Sequence, residues 1–572
     1  MLLSKIDIRN FRGLIELSLS FDGTTVLIGD NNTGKSTILA AIQICLNRAL
    51  NRKGGTFGEY DYHLKDKDGQ PTDAAPIEIT LTFSESEQGE WSDEIVQMLN
   101  GVTGIGETGL QSVILRTTSR YDDAAKNYTT SIAFLNPQQQ ALPVYPPNAP
   151  RNLQRLVPTF YLAALRDAAR EFRSGSQFWG PFVRALKIDP TLRQQIETDL
   201  ANLNKQVLDA HTAFDAVRQR LGKTAGLVPL GGGTDPVVIE AIPGKVFDML
   251  SRTQVMLSGK TGAHLPLAQH GEGTQSLAVI CLFDAFLEAQ LAGEYSVNSK
   301  PILALEEPEA HLHPSAVRAV GKLLQGFDGQ KIIATHSGDL LAAVPLMALR
   351  RLCRVNGAIK VHQVTPGSLS ADELRRLDHH VGRHRGHFLF SRLWLLVEGE
   401  TDEFMFQEAA RILDCDLFSA GVCCFKFTEL TVSHFIKLAD QLGIDWIVVS
   451  DSDPQGQKYA DSAKTHLGER EEANFIRRVP HGDIETFLCV EGYGDVFEAT
   501  MSAQKLKQNP ITATKGTATY WESVVKLQPD RGGKPERAAS VIGKMETLGA
   551  DGVPIFIKEI IKLSIMRAKE AG

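Results

Sequence analysis

The chain has 572 residues, too many for one ordinary core, so two or three domains are expected. Its 43% hydrophobic and 22% charged residues are those of an ordinary soluble protein, and it has no run of eighteen apolar residues that would span a membrane. A formal net charge of −8 excludes a global attraction to nucleic acid, so any such contact must come from a local basic patch or from metal ions.

The first residues alternate acid, base and apolar side chains like a strand, and they lack the apolar core and cleavage site of a signal peptide. Seven cysteines (45, 281, 353, 415, 423, 424 and 489) show no C-x-x-C spacing, which argues for reduced, buried thiols in a cytoplasm and against disulfides or zinc. Residues 5–28 read as strand, turn, strand: Ile6–Ile8, Leu17–Phe21 and Thr25–Ile28. The third strand runs into Gly29-Asp30-Asn31-Asn32-Thr33-Gly34-Lys35-Ser36, which fits G-x-x-x-x-G-K-[ST] at every fixed position, and Ser36 to Leu50 has helical periodicity. In that context the backbone N–H groups of Gly29, Asn31, Asn32 and Gly34 can wrap a polyphosphate, with Thr37 in the following helical turn. Lys35 would neutralise the outer phosphates and Ser36 would give an oxygen to Mg²⁺. The plainer alternative is a glycine turn with an exposed lysine.

Ile77–Phe83 alternates as a half-buried strand, residues 84–150 are mixed, and a Pro- and Gln-rich loop covers Asn136–Pro150. Between Gly180 and Gly222, apolar residues from Leu186 through Leu200 to Phe214 recur three or four apart, the pattern of an amphipathic helical hairpin. Either it packs on its own domain or it projects and dimerises. Strands and helices alternate again from Val255 to His362, and Thr365–Ser370 suggests a boundary. The histidines at 379, 380, 384 and 387 have no carboxylate frame at helix-face spacing, so a solvated interdomain helix is preferred to a metal site.

Two acid-bearing stretches carry further chemistry. Pro301–Leu305 is an apolar strand that delivers Glu306 and Glu307 to its carboxyl end, where Glu306 can hold Mg²⁺ through water and Glu307 can orient or deprotonate a water. Lys331–Ser337 reads as a strand ending in a histidine, His336, placed to sense a terminal phosphate. Farther on, Leu393–Val397 is followed by Glu398-Gly399-Glu400-Thr401-Asp402 and a helix from Phe404 to Leu413. Trp446–Ser450 is followed by Asp451 and Asp453, which would face the same way if the strand continued. Asp483 or Glu485 can add a third acid. Such hard oxygen donors suit Mg²⁺ or Mn²⁺, with Ca²⁺ also able to bind, and two ions could serve phosphodiester cleavage.

Glu306-Glu307-Pro308-Glu309-Ala310-His311 with Ala334-Thr335-His336-Ser337 resembles the ABC-type ATPases of the SMC and RecF kind. The resemblance implies ATP sandwiched between two heads, with a signature loop matching Gly271, Gly273 and Gln275 before a helix opening at Leu277. It departs from the usual Ser-Gly-Gly-Gln, Glu306 stands where most relatives have Asp, and the usual glutamine loop has no assignable counterpart. The Glu-Gly and Asp-x-Asp motifs resemble the Toprim fold. Both together, in this order, resemble the overcoming-lysogenization-defect (OLD) nucleases, including the nuclease subunit of Gabija defence systems.

That resemblance implies an α/β chain with an ABC ATPase head at 1–170 and 241–370 and a helical, dimerising insertion at 171–240. It further implies a linker at 371–392 and a Toprim nuclease domain at 393–572. Glu398, Asp402, Asp451, Asp453 and Glu485 match the metal-binding acids, with Asp402 where many members have Glu. Lys534, in a Gly/Pro loop, matches a basic residue that stabilises phosphate charge. The expectation is an ATP-binding, metal-dependent DNA endonuclease in phage defence or DNA processing. It would be a homodimer or larger, with a separately encoded helicase as a further partner. The alternatives are an ATP switch with a non-catalytic Toprim scaffold, and a topoisomerase or primase.

Overall fold

The apolar alternation of the N-terminal segment sets the first sheet, in which Leu3, Ile6 and Ile8 are inward and fully buried. The computed structural model describes residues 1–49, 56–163, 188–210, 213–217, 219, 239–250, 256–258, 264–275, 277–281, 298–310, 312–527 and 533–571. These divide into two compact units: a smaller one of Met1, Trp91–Asn100 and Pro147–Gly329, and a larger one of Leu2–Glu90, Gly101–Pro146 and Gln330–Gly572.

In chain order the elements are β1 (Leu2–Phe11), β2 (Leu14–Ser20), β3 (Thr24–Gly29), α1 (Lys35–Gln43) and β4 (Ile77–Ser84). Next come β5 (Thr103–Ile105), β6 (Gln111–Asp122), β7 (Asn127–Leu135), β8 (Thr159–Ala163) and α2 (Pro190–Asp209). A hairpin of β9 (Met256–Ser258) and β10 (His264–Pro266) precedes β11 (Ile302–Glu306), α3 (Pro314–Gly326) and β12 (Gln330–Ala334). Then follow β13 (Leu349–Val355), β14 (Ala358–His362), α4 (Ala371–His384), β15 (Leu393–Val397) and α5 (Glu400–Ile412). The chain continues with β16 (Val422–Lys426), α6 (Val432–Leu442), β17 (Asp445–Ser450), α7 (Pro454–Lys464) and β18 (Ile476–Arg478). It closes with α8 (Ile484–Leu488), α9 (Lys534–Leu548) and α10 (Ile555–Glu570).

Three sheets build the larger unit. The first is antiparallel in the order β2-β1-β4-β6-β5, with β7 on β6. The second places β3 between β12 and β13, parallel to both, with β14 antiparallel outside β13. The third is parallel, in the order β16-β15-β17-β18. Its central strand is apolar throughout and fully buried, as expected when helices cover both faces. From β15 the chain moves out to β16 and returns past β15 to β17. The carboxyl ends of β15 and β17 therefore flank a switch point, the usual place for a ligand crevice in such sheets.

In the smaller unit β8 and β11 run parallel, with Glu306 level with Ala163. Helix α2 starts at Asp189, whose carboxylate accepts from the N–H groups of Thr191 and Leu192, and Pro190 takes the first-turn position that lacks a partner. Leu200 is its buried residue, while Leu192, Leu203 and Val207 are exposed. Leu186, and most of the expected second arm of the hairpin, lie outside the described residues.

Several expectations need correction. Residues 84–150, read as mixed, contain the long β6–β7 hairpin. The helix after the phosphate loop keeps regular winding only to Gln43 and then widens into a π-turn at Ile44–Ala49, and Leu50 lies outside the described residues. The helix after β15 opens at Glu400, four residues before Phe404, so Glu400 and Asp402 sit in its first turn. Cys281 is exposed, whereas Cys45, Cys424 and Cys489 are buried and their thiol pKa values are raised by burial. Among the described residues no helix is long and apolar enough to cross a membrane.

Candidate active sites

The phosphate loop follows β3. Gly29 has φ +144°, and a Cβ there would lie 2.2 Å from the carbonyl oxygen of Leu352, its register partner on β13. Only glycine fits that approach. Asn32 and Gly34 also have positive φ, and Thr33 Oγ1 donates to the Asp30 carbonyl at 2.8 Å. Lys35 is buried, and its ammonium donates to the carbonyl oxygens of Gly29 (2.7 Å) and Asp30 (2.9 Å). Ser36 is exposed and Thr37 half-buried in the first turn of α1. His336 leaves the end of β12, which is parallel to β3 with Ala334 level with Leu27, and its ring stacks near Phe390 at 6.5 Å.

Two arginines that the sequence reading passed over hold this loop. Arg354 donates to the Asn32 carbonyl at 2.8 Å, and Arg392 pairs with the Asp30 carboxylate at 2.7 Å. Arg392 immediately precedes β15, so the phosphate loop and the third sheet share an ion pair. Arg351, buried, adds donations to the carbonyl oxygens of Gly443 (2.9 Å), Leu442 (3.1 Å) and Ser391 (2.8 Å).

The smaller unit carries the other acids. Glu306 ends β11, and the phenol of Tyr161 on β8 donates to its carboxylate, a contact with no sequence signal. Glu307 has φ +45°, rare for a side chain of that size and a mark of locally held strain. Gly271 immediately precedes a helical turn over 272–275 that holds Gly273 and Gln275, so helix begins five residues before Leu277. Gln275 Nε2 donates to the His270 carbonyl at 2.6 Å, and Ser276 lies outside the described residues.

Several acids converge at the switch point of the third sheet. Glu398 follows β15, and its Oε2 accepts from the Asp451 N–H at 3.1 Å. Asp402, 5% exposed, accepts from the Gly399 N–H at 2.7 Å. Burial, with Glu485 and Glu398 adding like charge, pushes its pKa up to about 7. Asp451 is pushed up to about 9 by burial and then by the charges of Asp402, Glu398, Asp483 and Glu485. Its Oδ1 is buried without a hydrogen-bond partner. Glu398 is also raised, mainly by burial.

The strand ends at Ser450, so Asp451 and Asp453 do not share a strand face. Asp453 instead caps α7, accepting from the N–H groups of Gln455 (2.9 Å) and Gly456 (2.7 Å). Asp483, left open by the sequence, caps α8 through the Thr486 N–H at 2.7 Å, and Glu485 is buried behind it. Lys534 is not in a loop: it opens α9, and its Nζ lies 2.8 Å from Glu485 Oε1. Gly532 lies outside the described residues.

With this geometry in place, comparison with known proteins gives the relationship. The model of a family described as protein of unknown function (DUF2813) matches residues 1–221 and 247–387. The chain belongs to the DUF2813 family. This DUF2813 chain also matches the overcoming-lysogenization-defect-protein-like Toprim domain over residues 389–453, which spans Glu398, Asp402, Asp451 and Asp453. Its mixed α/β fold thus carries a Toprim-like domain in its C-terminal part, over the stretch that includes β15 and β17. It is 26% identical to the uncharacterized protein YbjD of Escherichia coli (strain K12), over 100% of this chain and 99% of that protein. Endonuclease GajA of Bacillus cereus (strain VD045) is 22% identical over 84% of this chain and 79% of its own length. An OLD nuclease of Thermus scotoductus (strain ATCC 700910 / SA-01) is 26% identical over 79% and 82% respectively.

Proposed function

We propose that the chain is a divalent-metal-dependent DNA endonuclease controlled by ATP. The observation that carries this reading is the buried acid cluster at the β15–β17 switch point. Its Asp451 Oδ1 has no hydrogen-bond partner, and Asp402 and Asp451 are both driven towards the protonated form. Buried carboxylates that repel one another, one of them with an oxygen that has no donor, fit a divalent cation. Glu398, Asp402, Asp451, Asp453 and Glu485 would hold Mg²⁺ or Mn²⁺. The metal, when bound, supplies charge to the scissile phosphate and an activated water. Glu398 is held in place by the Asp451 N–H, and Lys534 stands at the rim with its ammonium turned to Glu485, from which it can meet phosphate charge.

ATP control rests on the phosphate loop. In this reading Lys35 and Ser36 meet the β- and γ-phosphates and their Mg²⁺, and His336 senses the terminal phosphate. Glu306 and Glu307 serve hydrolysis, and the Gly271–Gln275 turn faces a second head in a homodimer. The Arg392–Asp30 pair links the loop to the strand that leads into Glu398, so a nucleotide that moves Asp30 pulls on the cutting site. The relatives named as nucleases support cleavage.

The test is plasmid nicking by purified protein in Mg²⁺ or Mn²⁺, beside Glu398→Ala and Lys35→Ala, each with and without ATP. Cutting by wild type that Glu398→Ala abolishes is the expected result. A wild type that hydrolyses ATP yet never cuts DNA, in any metal, would leave an ATP switch with a scaffold Toprim domain as the function.

A further inference from the structure

Helix α4 puts His380 and His384 one turn apart on the same face, the i, i+4 spacing that lets two imidazoles reach one point. The missing carboxylate comes from elsewhere in the chain. Glu429, in the loop between β16 and α6, points its Oε2 at both rings, 2.7 Å from His384 Nε2 and 3.4 Å from His380 Nδ1. The ring centroids are 4.2 Å apart, and one donor atom from each of the three residues lies within 4.8 Å of the others. Among the described residues, this is the group of His, Cys, Asp and Glu that meets this spacing. The acids at the switch point do not.

We propose that His380, His384 and Glu429 bind a divalent transition-metal ion of the zinc type, which fastens α4 to the Toprim sheet. Two imidazoles and one carboxylate form a known zinc set that leaves a fourth position open, whereas Mg²⁺ and Ca²⁺ prefer oxygen alone. The hydrogen bond from His384 satisfies Glu429 Oε2 without help. It does not account for a second imidazole aimed at the same oxygen from a distance long for a hydrogen bond.

The surroundings suit a ligand. His380 is buried against Phe388 and Phe435, with ring centroids at 5.6 and 5.0 Å. That burial, and then the charge of His384, lowers its pKa to about 4 and keeps its ring neutral, as metal binding requires. Burial pushes Glu429 up, but the hydrogen bond and charge from His384, with His380 and Lys426, outweigh it and leave its pKa lowered. Lys426 lies 3.5 Å from the other carboxylate oxygen, Oε1, which leaves Oε2 for the ion. His384 is 39% exposed, so an ion has an entry path. The site is separate from the phosphate loop and from the Toprim acids, and it stands whether or not the chain cuts DNA.

The test uses the full chain stripped by chelator and titrated with Co²⁺, then with competing Zn²⁺. Low-coordinate cobalt on imidazole absorbs strongly in the visible, while six-oxygen cobalt at the Toprim acids absorbs weakly. Wild type and Glu398→Gln should bind one equivalent with the strong spectrum, displaced by Zn²⁺, and Zn²⁺ should raise their melting temperature. Glu429→Gln and His384→Ala should bind about 100-fold more weakly and lose the Zn²⁺-dependent rise. If His384→Ala fails to fold, the isosteric Glu429→Gln decides. A wild type with only the weak spectrum, or binding unchanged in these variants, overturns the site.

Discussion

At the phosphate loop the charged group is a cation already held by its own backbone. Lys35 donates to two loop carbonyls, so its burial is matched by hydrogen bonds. At the Toprim edge the charged groups are anions with little to match them. Asp451 keeps a buried oxygen without a donor, and its neighbours are other acids. The first region can wait for its ligand with its polar groups satisfied. The second meets the cost of waiting by holding protons, which a cation must displace. Under the proposed function, the same chemistry, phosphate recognition, is thus prepared in opposite ways in one chain.

Removing acids tests the second half of that contrast and should have the largest effect. Asp451→Asn and Glu398→Gln should lower metal-dependent nicking on the order of a thousand-fold. In the absence of metal their melting temperature should be unchanged or higher, since each removes like charge. A fully active Asp451→Asn would take that residue out of the chemistry.

The proton-holding itself gives the next effect. Metal must displace protons from a coupled set whose members Asp402 and Asp451 titrate near pH 7 and 9. Mn²⁺ affinity should therefore climb steeply as pH rises from 6 to 9, by roughly 100-fold in total, and level off above it. The sign for folding is the reverse. The folded pKa values lie above the ordinary carboxylate value of about 4. Metal-free stability is therefore greatest below that value and falls as pH rises through 7 towards 9. Mn²⁺ titrations and thermal melts across that range read both slopes. An affinity flat in pH would mean that the acids are already ionised.

On the cation side, Lys35→Ala should weaken ATP binding by roughly 30- to 150-fold, the equivalent of about 2–3 kcal/mol for a charge-assisted contact. Equilibrium binding of a fluorescent ATP analogue measures it. The smallest effect belongs to the link between the regions. Arg392→Ala should leave ATP affinity within about twofold, yet change the ratio of nicking with and without ATP by about fivefold. An unchanged ratio would place the coupling elsewhere.

The sequence made the strands that carry chemistry readable because β3, β11 and β15 are apolar runs ended by glycine or acid. Glu306 ends β11, Glu398 follows β15, and Lys35 opens the helix after the β3 loop. What it hid is of one kind: side chains that meet across the fold. Arg392 has no motif, and its pairing with Asp30 spans most of the chain. Tyr161 reads as an ordinary strand aromatic until β8 pairs with β11. The histidines of α4 appeared to lack a carboxylate because Glu429 enters from another loop. The Asp451–Asp453 spacing misled differently, since Pro454 starts a helix and turns Asp453 into its cap.

Trp394, the second residue of β15, is wholly enclosed, and its indole donates to the Phe388 carbonyl at 2.7 Å while packing against the Phe388 ring. Lys437 on α6 likewise reaches Glu373 on α4 at 2.7 Å. A Toprim domain excised at residue 393 would therefore carry a bare tryptophan face and stranded carbonyls at Leu442 and Gly443, formerly served by Arg351. Any transplant of this domain into another protein has to begin upstream, at about the start of α4, and bring a substitute for that arginine.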